Sequence, residues 1–203
     1  MSQSGPRATF TGYTLNGLIM YAYDVRGYQV SGGPGWMGSD TYTIAAKAEG
    51  DATPGITELR KMLQSLLAER FELKLHSETK EMRVYLMEPA KTGLKLTASK
   101  APRTTMSMGP GHLTMGKATP AQMAALLSSV LNRPVLDRTG AAGEFDFVLD
   151  SPDIMTGRMQ SGEDVTGPSI FTAVEEQLGL KLESSKGPIE TLIVDHVVKA
   201  LGN

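Results

Sequence analysis

The sequence predicts an α+β protein made of two tandem, pseudo-repeated αββαββ modules, with helices packed on small sheets. Three observations carry this expectation. First, shifting the chain by 105 positions lays Leu18 on Met123, Val25 on Val130, Val30 on Val135, Gly38 on Gly143, Tyr42 on Phe147 and Ile44 on Leu149. Second, the order returns at the end of each half, where Leu67 meets Leu178 and Phe71-Glu72-Leu73 meets Leu180-Lys181-Leu182. Third, each half holds two segments with apolar residues at helical spacing, separated by short strand-like runs. Identity is low, but apolar and Gly positions keep step, and a fold depends on those. The modules span 8–96 and 112–199, joined by a linker at 97–111, with a flexible loop at 151–168 inside the second.

In the first module, residues 8–12 read as a short edge strand. Thr14 is an N-cap for a helix carrying Leu15, Leu18, Ile19, Ala22 and Tyr23, ended by Gly27. A strand over 28–30 leads into Gly32-Gly33-Pro34-Gly35, which forces a turn. A second strand covers 41–47. Thr57 caps a helix whose Leu59, Met62, Leu63, Leu66 and Leu67 form one apolar stripe. Strands over 71–78 and 82–88 follow, joined tightly at Thr79-Lys80.

The second module repeats the script. A short strand covers 112–116. Thr119-Pro120 is a cap followed by Pro at the first helical position, and Met123, Leu126, Leu127, Val130 and Leu131 supply the stripe. Strands over 134–137 and 144–150 flank a turn at 139–143. Ser169 caps a helix with Phe171, Val174 and Leu178, stopped by Gly179. Strands over 180–184 and 189–198 close as a hairpin around Lys186-Gly187. The linker is rich in Thr, Ser, Met, Pro and Gly. The loop at 151–168 has no apolar period, and its Ser, Gly and Asp cannot bury a core.

Composition narrows the function classes. A net charge of −2 with scattered basic residues gives no pull toward nucleic acid. The absence of Cys excludes disulfides, thiol nucleophiles and Cys-based metal sites. No stretch approaches the roughly 18–20 apolar residues that cross a bilayer. The opening residues lack a basic-then-apolar leader. The location expected is periplasmic or secreted with a leader removed, and cytoplasmic if none was.

Candidate chemistry is sparse. His76 and Glu78 lie two apart on a predicted strand and share a face. With a ligand from Glu81, His112, Asp195 or His196 they could hold a divalent metal. Against this, the hairpin puts Arg83 opposite His76, and a polar strand face is ordinarily solvated. No Gly-x-Ser-x-Gly elbow occurs, paired carboxylates sit at surface-like positions, and the Gly-rich turn lacks the helix and Lys-Ser/Thr of a phosphate loop. The Met residues near 106–115 and at 155 and 159 form no regular series for a soft metal. Four residues are candidates for ligand or partner contact. Trp36, the lone Trp, is either a contact residue or a plug between the halves. Tyr23 and Tyr28 flank the first helix. Arg138 is an anion binder or a structural clamp beside the turn of Asp137 and Gly140.

Several residue runs carry a family resemblance. They are Ala22-Tyr23-Asp24-Val25, Gly32-Gly33-Pro34-Gly35-Trp36, Arg70-Phe71, Arg133-Pro134-Val135-Leu136-Asp137-Arg138-Thr139-Gly140, Gly143-Glu144-Phe145-Asp146-Phe147 and Gln177-Leu178-Gly179-Leu180. Together with the closing Gly187-Pro188-Ile189-Glu190, the chain resembles the DUF3738 family along nearly its whole length. That resemblance implies a family expanded in acidobacteria, mostly exported, with some members fused to a BlaR1-like membrane peptidase, and with no assigned activity. Each half also resembles the short N-terminal module of secretins and TonB-dependent proteins, which implies protein contacts in the envelope. The expectation is a non-catalytic binding or protein-interaction domain of the bacterial cell envelope, with an unidentified protein or small-molecule partner and no cofactor. The alternative is a metal-assisted ester or phosphoester hydrolase using His76 and Glu78.

Overall fold

The structure, a computed structural model, describes residues 1–48, 52–154 and 169–200 of the 203-residue chain. Among these it holds four helices and eleven strands in three sheets, an α+β architecture. Contacts divide the chain into two units, Met1–Lys80 with Ile189–Asn203, and Glu81–Pro188. These boundaries differ from those of the modules at 8–96 and 112–199, and the reason lies in two long strands.

The sequence predicts hairpins at Thr79-Lys80 and at Lys186-Gly187. Instead, β5 (Lys74–Pro89) and β11 (Leu180–His196) are each one unbroken strand. Each gives one half to either unit. Thr79 and Lys80 lack the Gly or Asn that a two-residue turn demands, and both tolerate extended backbone. Gly187 serves close packing, because a Cβ there would stand 3.1 Å from Leu136 and 3.3 Å from Val84.

In the first unit, β1 (Ser2–Ser4), β2 (Arg7–Thr14) and β4 (Thr41–Lys47) form an antiparallel sheet in the order β1-β2-β4. The Thr14 hydroxyl accepts the Gly17 N–H and starts α1 (Leu15–Tyr23). That helix stops at Asp24, in the left-handed region at φ 56°, before Gly27 is reached. A 3-10 turn follows at Gly27–Gln29, and the strand predicted at 28–30 falls at β3 (Val30–Gly32). Helix α2 (Ile56–Arg70) begins behind Gly55, one position before Thr57. Ala8 and Phe10 pack with Leu15, Leu18, Ile19, Leu59, Leu63 and Leu67 as the core. β3 runs parallel to the second half of β11, pairing Val30 with Leu192.

In the second unit, β6 (Thr97–Ala98), β7 (Thr105–Gly109), β8 (His112–Ala118) and β10 (Phe145–Asp150) form a sheet in the order β6-β10-β8-β7. The segment 97–111, read as a linker, thus carries two strands, because its alternating Thr-Met-Ser-Met suits a pleated edge. Thr119 and Gln122 cap α3 (Pro120–Leu131) reciprocally at 3.3 and 2.9 Å. α4 (Ile170–Leu178) ends on Gly179 at φ 64°. β9 (Val135–Asp137) runs parallel to the second half of β5, pairing Val135 with Tyr85. Of the loop at 151–168, Ser151 to Ile154 form a turn with Ile154 fully buried, and 155–168, with Met155 and Met159, lie outside the described residues.

Candidate functional site

The first unit contains a groove of about 500 Å³ between its sheet and α2. Its origin is side-chain size. The sheet side contributes Ala8, Ala46 and Ala48, each with one methyl, beside Pro6 and Phe10, while α2 turns Leu59, Met62, Leu63 and Leu66 toward them. The three alanines leave space that neither side fills. The rim carries two acids, Glu58 and Glu69, and two bases, Lys47 and Arg70, all exposed. Among the described residues none of these four joins an ion pair. The groove is therefore apolar inside and electrically balanced at its mouth. It lies on the β4 side of the sheet, since no residue of β1 lines it.

β4 also ends the sheet. Ala48 donates its N–H to the Pro6 carbonyl at 2.8 Å, in step with the pairs Ala46↔Ala8 and Ile44↔Phe10. In an antiparallel ladder the intervening residues point the other way. The backbone groups of Thr43, Ala45 and Lys47 therefore face away from β2, toward an edge that no other strand among the described residues pairs with.

The residues expected from sequence lie elsewhere. His76 Nδ1 meets both Asp195 oxygens, at 2.8 and 2.9 Å, with both side chains exposed. Glu78 instead approaches Lys80 at 3.5 Å, and its carbonyl accepts the Thr191 hydroxyl at 2.9 Å. Since no hairpin forms, Arg83 is not opposite His76. The other two His also sit against acids on the surface, His112 against Asp150 and His196 against Glu72 at 3.4 Å. Among the described residues no three His, Asp or Glu side chains converge as a metal-ligand group.

Trp36 is half-buried on the first unit's core, in a 3-10 turn at Gly35–Gly38 whose fully buried residue is Met37. The Lys199 ammonium lies 5.5 Å from the Trp36 ring centroid and 2.6 Å from Asp40. This hydrogen bond holds the Asp40 carboxyl below its ordinary range and raises Lys199 above its own. Tyr23 is half-buried on the same core, and burial pushes its phenol up. Tyr21 is half-buried too, edge-on to Phe10 at 5.2 Å, so neither Tyr of the pair is fully exposed. Tyr28 is half-buried in the 3-10 turn before β3. Arg138 is exposed, its N–H bonded to the Met87 carbonyl at 2.9 Å. The turn beside it is built as read: Asp137 accepts both the N–H and the hydroxyl of Thr139, and Gly140 takes φ 65°.

Sequence reading missed the groove. The available signal was Ala45-Ala46-Lys47-Ala48 at the end of a strand, facing a helix whose stripe is wider than its buried residues. It also missed Arg133, which stacks 4.0 Å over Tyr85 and donates to the Val84 carbonyl and the Ser184 hydroxyl, each at 2.8 Å.

No curated protein and no solved structure matches the chain. One family does, described as "Protein of unknown function (DUF3738)", and the match runs over residues 16–197, which include α2, β4 and both long strands. Of the groove's walls, α2 and β4 lie within the matched span while Pro6, Ala8 and Phe10 precede it. The chain belongs to the DUF3738 family.

Proposed function

We propose that this chain is a non-catalytic binding domain of the bacterial cell envelope, and that its ligand site is the groove between β4 and α2. The observation that carries this reading is a large apolar space with a neutral, solvated rim, the usual character of a binding cleft. The same reading treats the chain as a tandem duplication. Its support is the matched pairing in the two units, where β3 and β9, each of three residues, run parallel to the second halves of β11 and β5. A duplicated scaffold with one copy left open suits recognition more than turnover.

The test is titration with anilinonaphthalene sulfonate, a dye that brightens in apolar clefts. The wild-type protein should enhance its fluorescence, and Ala46→Trp, which fills the groove, should abolish the enhancement. Unchanged enhancement in Ala46→Trp places the dye elsewhere and defeats the assignment. An ester and phosphoester panel, with and without chelator and beside His76→Ala, tests the non-catalytic claim. Turnover lost with both chelator and His76→Ala would replace it with a metal-assisted hydrolase using His76 and Glu78.

A further inference from the structure

Resting on the groove as the binding site, we propose that β4 accepts an extended peptide as an added antiparallel strand, with an aliphatic side chain of that peptide entering the groove. The first support is the edge itself. β4 offers seven residues of strand, with Thr43, Ala45 and Lys47 presenting N–H and C=O groups that no other strand among the described residues pairs with. Proteins usually blunt such edges with short strands, Pro or central charges. The other terminal strands here are shorter, with three residues in β3 and β9, two in β6 and five in β7. β4 has no Pro, and its one charge, Lys47, is at the end.

The second support is the second unit, which shows what such an edge takes. There β10 is paired with β8 on one side, as β4 is with β2. On its other side β10 carries β6, antiparallel, at its first two residues, with Phe145 opposite Ala98 and Asp146 opposite Thr97, while farther along the Gln177 side chain accepts from the Asp150 N–H and donates to its C=O. A strand on this edge is thus an arrangement the chain already builds. The third support concerns the side chain. In the second unit Ile154 follows the end of β10, beside the start of β8, and is packed into the core. Its N–H bonds to Ser151, its carbonyl accepts from Gly111, and its side chain is 0% exposed. In the first unit the groove lies at the end of β4, lined by Ala46 and Ala48. A branched aliphatic side chain is what the second unit buries just beyond the end of its β10. The balanced rim of Glu58, Glu69, Lys47 and Arg70 favours a peptide without strong net charge. Backbone pairing then supplies affinity, and the groove selects the side chain.

The probe is a fluorescein-labelled, end-blocked peptide of alternating Thr and Ile, followed by anisotropy with the full chain. Binding is expected, weakened by about tenfold in Ala45→Pro, which removes one outward N–H and leaves the β2 ladder intact. The same peptide N-methylated at alternate amides should not bind the wild-type protein, a control that needs no variant to fold. Equal binding of the peptide to Ala45→Pro, or of the N-methylated peptide to wild type, overturns strand addition. Dye enhancement without peptide binding also overturns strand addition and leaves the groove reading standing. Loss of dye enhancement alongside peptide binding would separate the two in the opposite sense.

Discussion

In the second unit Ile154, just past β10, is fully buried in the core; in the first, Ala46 and Ala48, at the end of β4, line a groove. The strand pairs are alike, with Leu149 on Leu113 in one and Ile44 on Phe10 in the other. The edges differ too, since β6 pairs with the first two residues of β10 while, among the described residues, no strand pairs with the outer edge of β4. The lesson is that strand pairs built alike can differ in what side-chain volume and one short strand leave beside them. The turn after the second helix differs in the same manner. The second unit places Gly179 in the left-handed region, whereas the first places Glu72 there at φ 48°.

That last contrast gives the largest expected effect. A Cβ on Gly179 would run into the Gly93 backbone, which cannot yield as a side chain can. Gly179→Ala should cost about 3 kcal/mol or more, summing left-handed strain and a backbone clash. Urea unfolding measures it, and a loss under about 1 kcal/mol would show that the turn relaxes freely. Ile154→Ala comes next. Emptying that space should cost about 2–4 kcal/mol in the same assay, while creating a dye-binding cavity like that of the first unit. No new dye binding would mean the two sites are not equivalent.

Ala46→Leu attacks the groove from the other side. Filling space that is already empty should change stability by about 1 kcal/mol or less, in the favourable direction, as apolar surface leaves water. A clear destabilisation would mean that the groove has no room. The smallest effect concerns acid. Asp40 is held below its ordinary range by Lys199, so the stability it contributes is fully present above the ordinary carboxylate range and is lost as pH falls through the lowered value. Asp40→Asn should flatten that part of the acid unfolding curve slightly, and an unchanged curve would remove the pair from the account.

How much of this was legible in the sequence depends on the kind of signal. Thr14, Thr119-Pro120, Ser169 and Gly179 announced helix ends because capping is local chemistry, readable within four residues. The Asp137–Gly140 turn was legible for the same reason. The unbroken course of β5 and β11, where hairpins were expected, was not, because a run such as Ser-Glu-Thr-Lys-Glu-Met reads as turn or strand alike, and only partners far along the chain decide. Gly187 misled, since close packing and turning both ask for glycine. His76 drew attention through its spacing to Glu78, yet its partner, Asp195, lies 119 residues away. The groove was hidden because an Ala in a strand announces nothing until the opposing helix is known to be large. Trp36 drew attention for its rarity, and the side chain that fills the core beneath it is Met37.

The unbroken course of β11 has a consequence for biosynthesis. Val30, Ser31 and Gly32 pair with Leu192, Ile193 and Val194, a segment that leaves the ribosome only after the whole intervening unit. Every residue of the intervening unit is translated first. The nascent amino-terminal half therefore waits with β3 unpaired and the place of Val194 vacant, while residues 81–188 can already close. Vectorial synthesis thus favours completion of the inserted unit before the unit that flanks it, and the waiting time falls to whatever holdase or translation pause protects the unpaired β3.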